Sequence, residues 1–216
     1  MNTLSAIGSF LIVATMLMVA PGPDTALVLR ASVVQGRRHA FATVLGISTG
    51  AASWGVAAAL GISVLVTTSP TAYTVLRLAG AAYLVWMGAT MVWKTFRRDR
   101  ADGAAQDGAW SSAAAAEPPV RAWRRGMTTN LLNPKVGVFY VAMLPQFIPD
   151  GASPLGMGLA LSFIHVLLGV VWFTLLIYGT VLARRWLQRA KVQLGMDRAT
   201  GTALVGFGLL LALSGQ

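Results

Sequence analysis

Leu17-Met18-Val19-Ala20-Pro21-Gly22-Pro23-Asp24-Thr25-Ala26-Leu27 is an apolar run cut in the middle by two prolines, a glycine and a carboxylate. Asn130-Leu131-Leu132-Asn133-Pro134-Lys135-Val136-Gly137 repeats the interruption past the middle of the chain, with an ammonium in place of the carboxylate. Proline lacks a backbone donor and clashes with the preceding turn, so a helix kinks or parts at each place. Outward from both breaks run apolar stretches that approach the roughly 20 residues a helix needs to cross a bilayer. An ionised side chain at that depth costs at least a few kcal/mol, and such residues mark substrate or ion pathways more often than packing.

Composition agrees with a membrane domain. The 216 residues are 56% hydrophobic and 11% charged, against about 25% charged in soluble domains. The longest polar stretch, Arg97 to Arg125, is too short to enclose a core. One integral membrane domain over residues 1–216 is the expectation. The chain contains no cysteine, which excludes disulfides and thiolate metal sites. The net charge of +10 raises the question of nucleic acid, but its distribution argues against that partner. Of 17 Lys and Arg residues, 14 fall in three clusters: Arg37–Arg38, Lys94 to Arg125, and Arg184 to Arg198. Basic clusters between apolar spans mark cytoplasmic loops and meet anionic lipid head groups.

Six transmembrane helices follow, covering about 5–34, 40–66, 71–93, 126–148, 154–183 and 199–213. The fold class is all-α, with helices 1 and 4 broken. Ser69-Pro70 and Pro149-Asp150-Gly151 supply turns on the side without basic clusters. Both termini then lie outside. Met1 to Phe10 holds no Lys or Arg, so the first span lacks the charged start of a signal peptide. Repeat 1 covers about 1–96, a cytoplasmic linker about 97–125 and repeat 2 about 126–216. Three spans per half is an odd number, so the halves enter the membrane with opposite orientation, as in many transporters. Pro23-Asp24 corresponds to Pro134-Lys135, and Arg77-to-Gly80 to Arg198-to-Gly201.

Depth follows from helix rise. Asp24 stands 13 residues before Arg37, about 20 Å of helix. Lys135 stands ten residues after Arg125, about 15 Å. Both reach the middle of a hydrocarbon core about 30 Å thick. Irregular backbone survives there only inside protein or beside a water-filled cavity. Freed amides at a half-helix N-terminus attract anions, and freed carbonyls attract cations. Blander roles exist for each residue. Asp24 is a good N-cap. Lys135 could snorkel toward the interface, as could Arg30 and Arg77. His165 is either a buried hydrogen-bonding residue or a candidate proton relay. Gly46, Gly50 and Gly80 suit close helix packing.

Taken in order, these residues resemble the LysE/RhtB family of amino-acid exporters. The match rests on Ala20 to Asp24, on Gly36-Arg37-Arg38 with Gly46 and Gly50, and on Leu78 to Gly88. Its most specific part is Asn130 to Lys135 followed by Pro145-Gln146-Phe147. The resemblance implies six spans, a bacterial inner-membrane location and efflux of amino acids or their derivatives. It sets Asn130 and Gln146 beside Asp24, Lys135, Pro21, Pro23, Asn133 and Pro134 as substrate-binding or coupling residues.

An enzyme reading finds little to stand on. The chain has two histidines, no metal-ligand cluster and no phosphate loop for ATP. No cofactor is expected. Transport then draws on an ion gradient or on the solute's own gradient. The rivals are export of another small solute or cation, a channel and a structural bundle. A channel filter needs a repeated loop that is absent here. A zwitterion needs a cation for its carboxylate and an anion for its ammonium. Lys135 and Asp24 supply them, and Asp24 is also a candidate carrier of a coupling proton. The expected partners are a small-molecule substrate and the lipid bilayer; a homodimer is left open.

The topology is testable because the chain has no cysteine. Single cysteines at Ser69, Ser112 and Gln193, treated in intact cells with an impermeant thiol reagent, should label at position 69 alone. Labelling at 112 would overturn the orientation.

Overall fold

The computed structural model describes residues 2–20, 22–98, 118–149, 151–180 and 189–213. Pro21, Asp150, Arg184 and most of the expected linker, residues 99–117, lie outside the described residues. Every described element is helical.

The first apolar run forms two helices. α1 spans Thr3–Val19 and starts where the Asn2 side chain accepts from Ser5 N at 2.8 Å. α2 spans Pro23–Arg30 and runs into a π-helical turn, Ala31–Gln35. The two are bent by 58° at the break. Pro23 takes the first helical position, where its missing N–H is no loss. Gly36, at φ 86°, then turns the chain into α3. That left-handed conformation is the one place in this stretch where glycine is required.

α3 spans Arg37–Thr68 and α4 spans Pro70–Arg98, joined at Ser69, whose Oγ accepts from Ala72 N. The second interrupted run gives α5, Pro119–Leu131, and α6, Pro134–Val138. α6 continues as a π turn, Phe139–Met143, and a 3₁₀ turn, Leu144–Phe147. α7 spans Pro154–Tyr178 and α8 spans Ala190–Leu213. α8 starts nine residues before the expected span at 199, because its first turns carry Lys191, Asp197 and Arg198, which an apolar criterion passes over.

Among the described residues, three helices are long and apolar enough to cross a membrane, or four if the bent pair of α1 and α2 counts as one. The protein is an all-helical membrane protein. Exposed Trp86, Trp93, Phe163 and Leu175 on these helices suit contact with lipid tails.

Helix packing follows the small residues. α3 lies along α5 and α7, α4 along α8, and α1 along α7. A β-carbon on Gly46 would strike Trp123 O of α5, and one on Gly126 would strike Thr43 O of α3. On the α4–α8 seam, a β-carbon on Gly201 would sit 2.7 Å from Gly88 O. Without a hydrophobic drive between helices in lipid, such close backbone approach supplies the packing. Two apolar clusters result. One gathers Phe10, Phe139, Tyr140 and Phe147 around α1 and α6. The other joins Val28 and Leu29 of α2 to Val44, Ile47, Phe173 and Ile177. The first break lies in the chain between them, with Leu17 in one cluster and Val28 in the other.

Overpacking these seams should be costly. Gly126→Leu and Gly201→Leu are each expected to lose about 1–3 kcal/mol or more of stability, read as earlier thermal unfolding in detergent. Gly8→Ala, inside α1 and meeting nothing within 4 Å, should instead gain about 0.4–1 kcal/mol, because alanine has less chain entropy to lose.

Candidate functional site

Both breaks face one cavity of about 60 Å³. Asp24, Thr25, Asn130, Asn133, Lys135 and His165 give it polar walls; Leu17, Met18, Ile47, Val136 and Phe173 give it apolar ones. By volume it holds a few waters.

Asp24 occupies the first turn of α2 and is buried. Its Oδ2 accepts from Asn130 Nδ2 at 2.9 Å and from Asn133 Nδ2 at 3.4 Å. Among the described residues its Oδ1, which is buried, has no hydrogen-bond partner. The carboxylate also sits at the positive end of α2, the favourable end for an anion.

Lys135 occupies the first turn of α6. Its Nζ donates to Leu17 O at 2.9 Å and Ala20 O at 3.3 Å. These carbonyls belong to the last turn of α1, where the break removes their helical partners. The ammonium therefore caps α1, the favourable end for a cation. Gly22 leaves room for it: a β-carbon there would lie 3.3 Å from Nζ. An ammonium has three N–H groups, and two are used. No ion pair joins Lys135 to Asp24 among the contacts of the described residues.

The two charges cross. The carboxylate of α2 reaches the end of α5, and the ammonium of α6 reaches the end of α1. A cation can sit on helix-end carbonyls directly. An anion at the same kind of end would be repelled by them, so side-chain amides must intervene. Asn130 and Asn133 provide these amides at the end of α5, while the end of α1 carries Leu17, Met18 and Val19. The Asn133 side chain also caps α6, its Oδ1 accepting from Lys135 N at 3.1 Å. Asn130 is held by a close approach of α3, since a β-carbon on Gly50 would lie 2.8 Å from Asn130 Oδ1.

His165 enters from α7. Its Nδ1 lies 2.8 Å from the Tyr140 hydroxyl, and its ring packs on Phe139 at 4.6 Å between centroids. The structure thus brings Asp24, Asn130, Asn133, Lys135 and His165 to one cavity. Pro23 and Pro134 start α2 and α6 and shape the breaks without lining it. Gln146 lies outside the cavity lining, hydrogen-bonded to Tyr73 of α4. Sequence reasoning passed over Tyr140 and the carbonyls of Leu17 and Ala20. Tyr140 has no motif around it, and a backbone carbonyl leaves no trace in a sequence.

Charged side chains at two broken helices are thus gathered on one cavity inside a membrane protein. Comparison with known proteins gives the family. The LysE type translocator model matches residues 15–215, and the chain belongs to that family. An uncharacterized membrane protein of Bacillus subtilis is 32% identical over 212 residues, covering 95% of this chain and 98% of its own. The leucine efflux protein of an Enterobacter species is 30% identical over 95% of this chain and 92% of its own. The homoserine/homoserine lactone efflux protein of Salmonella typhimurium is 31% identical over 94% of each chain. No solved structure matches.

The coupling through Asn130 can be measured. Asn130→Leu deprives a buried carboxylate of its best donor and should cost about 1.5–3 kcal/mol. With Asp24→Asn already in place, the same change should cost less than half as much. Thermal unfolding of the four proteins of this cycle gives the coupling energy; additive losses would show that the two side chains do not interact.

Proposed function

We propose that this protein is a secondary exporter of amino acids or close derivatives across the bacterial inner membrane. The observation that carries the reading is a matched pair of unused valences. Among the described residues, Asp24 Oδ1 has no partner, and Lys135 has one N–H beyond the two it donates. Both groups line one cavity. A zwitterion fits that pair, its ammonium on Asp24 and its carboxylate on Lys135, by charge-assisted hydrogen bonds. The efflux names of the Enterobacter and Salmonella relatives point the same way.

Alternating access of two inverted repeats is the proposed motion. Exchanging α1 with α5, α2 with α6, α3 with α7 and α4 with α8 carries the main packing onto itself. The α3–α7 and α4–α8 pairs return to themselves, and α3–α5 becomes α7–α1. The crossing of Lys135 and Asp24 obeys the same exchange. The cavity is lined by residues of both halves, Leu17, Asp24 and Ile47 from one and Asn130, Lys135 and His165 from the other, so widening it requires the halves to separate at the breaks. Lys135 joins α6 to α1, and Asp24 joins α2 to α5. Binding that draws on either side chain therefore acts on the contacts between the halves.

Proton antiport is the proposed energy source. The sequence has no ATP-binding loop. A proton and a substrate ammonium compete for the same carboxylate, which is the requirement for exchange. The empty site returns with Asp24 protonated, and release of that proton inside restores the negative partner for the next ammonium.

Proteoliposomes test this. An imposed pH gradient should drive radiolabelled leucine or homoserine uphill, and a protonophore should abolish the accumulation. Asp24→Asn and Lys135→Met should each remove net transport while the protein stays folded in the membrane. Uphill flux that ignores pH and follows sodium would remove protons from the account, and wild-type rates in either variant would remove that residue from the site.

A further inference from the structure

The Tyr140–His165 pair has geometry that the transport reading above does not use. Tyr140 is fully buried, and among the described residues its hydroxyl makes one hydrogen bond, to His165 Nδ1 at 2.8 Å. Phe139 packs against both rings. A β-carbon on Gly55 would touch the tyrosine ring at 3.2 Å, so α3 closes the other side.

A phenol has one hydrogen to place. If the hydroxyl accepted from Nδ1–H, its own hydrogen would be left buried without an acceptor. If it donates to Nδ1, the hydroxyl has only a lone pair left over. The ring hydrogen then goes to Nε2, which is not among the fully enclosed atoms and belongs to a side chain that lines the cavity, where water can accept from it. An orphaned buried donor is the rarer and costlier outcome, since an oxygen with one lone pair in use tolerates the other unpaired. The hydroxyl therefore donates. Nδ1 then carries no hydrogen, the imidazole is neutral, and its hydrogen sits on Nε2.

His165 also lines the cavity shared by Lys135 and Asp24. Nε2 is the ring nitrogen left for that cavity. We propose that His165 is a neutral N–H donor to the carboxylate of the transported solute, held in that tautomer by Tyr140. The inference rests on the zwitterion reading of the cavity. Lys135 and His165 then form the carboxylate end of the site, two donors from α6 and α7, with Asp24 at the ammonium end. Tyr140 touches no solute; it is a positioning residue. The same geometry separates His165 from the role of a through-going proton relay. A relay needs an onward partner for the proton, and Tyr140 leads from His165 into the apolar cluster of Phe10, Phe139 and Phe147.

Two measurements decide it. In protein labelled with ¹⁵N-histidine, with the second histidine assigned through His39→Gln, His165 should carry its hydrogen on Nε2 throughout about pH 6–8. Tyr140→Phe, which keeps the ring, should release that preference. A hydrogen found on Nδ1, or on both nitrogens, overturns the proposal whether or not any flux is seen. In proteoliposomes, His165→Gln keeps an N–H donor and should hold KM for leucine within about threefold, with pH-driven accumulation intact. His165→Leu should raise KM about tenfold or more, the loss of one hydrogen bond to a charged group, with little change in maximal rate. Inhibition by isoamylamine, which is leucine without its carboxylate, should be the same in both variants. Equal behaviour of the Gln and Leu variants would overturn the donor role. Failure of the wild-type protein to move or bind any amino acid would instead sink the transport reading, and the proposed carboxylate contact with it, while the labelled histidine still reports the tautomer.

Discussion

A broken helix inside lipid exposes backbone groups that hydrocarbon cannot satisfy, and the architecture here follows from how that cost is met. Each unsatisfied group in hydrocarbon costs several kcal/mol. At the end of α1 the carbonyls of Leu17 and Ala20 take the Lys135 ammonium. At the starts of α2 and α6 a proline removes one orphan donor, and at α6 the Asn133 side chain accepts from another. Two of the ties come from the other half of the molecule: Lys135 on the carbonyls that end α1, and the amides of Asn130 and Asn133 on Asp24 of α2. α1 and α2 thus depend on α6 and α5 for their geometry, and the two halves are tied together at their weakest points.

The two ties differ in chemistry because the signs differ. An ammonium and a helix C-terminus attract one another without help. A carboxylate brought to the same kind of end needs donors placed in between, and this accounts for asparagines at 130 and 133 where the first half has only apolar residues. Asn130 in turn needs α3 close by, which Gly50 permits. The small residues along α3 and α5 therefore position the site as well as the helices: Gly46, Gly50 and Gly126 bring the polar pair to the cavity wall.

The ties also leave something over. Among the described residues, Asp24 keeps an unpartnered oxygen and Lys135 an unused N–H. A purely structural brace would gain from satisfying both, since a buried polar group without a partner costs about 1–3 kcal/mol. The leftover valences have opposite signs and share a cavity, which makes a molecule carrying both charges their natural complement. This complementarity underlies the proposed transport of zwitterions.

The sequence by itself determined the class and the breaks. Hydrophobic run length, sparse charge and the positions of Pro23 and Pro134 are local quantities, and a helix responds to them locally; hence the all-helical membrane fold, α1–α2 and α5–α6 were legible. Asp24, Asn133 and Lys135 stood out because a charge or amide beside a proline in an apolar run is rare by itself. Gln146 was grouped with them through its motif, yet it lies beside Tyr73, since motif membership carries no distance. Only the tertiary structure decided which partner each charge takes. Lys135 lies more than a hundred residues from the carbonyls it caps, and those carbonyls have no side-chain signature. Tyr140 matters through one hydrogen bond to a helix 25 residues further on. Such contacts depend on how α1, α6 and α7 converge, which is set by packing along small residues on several helices at once, and no single stretch of sequence contains it.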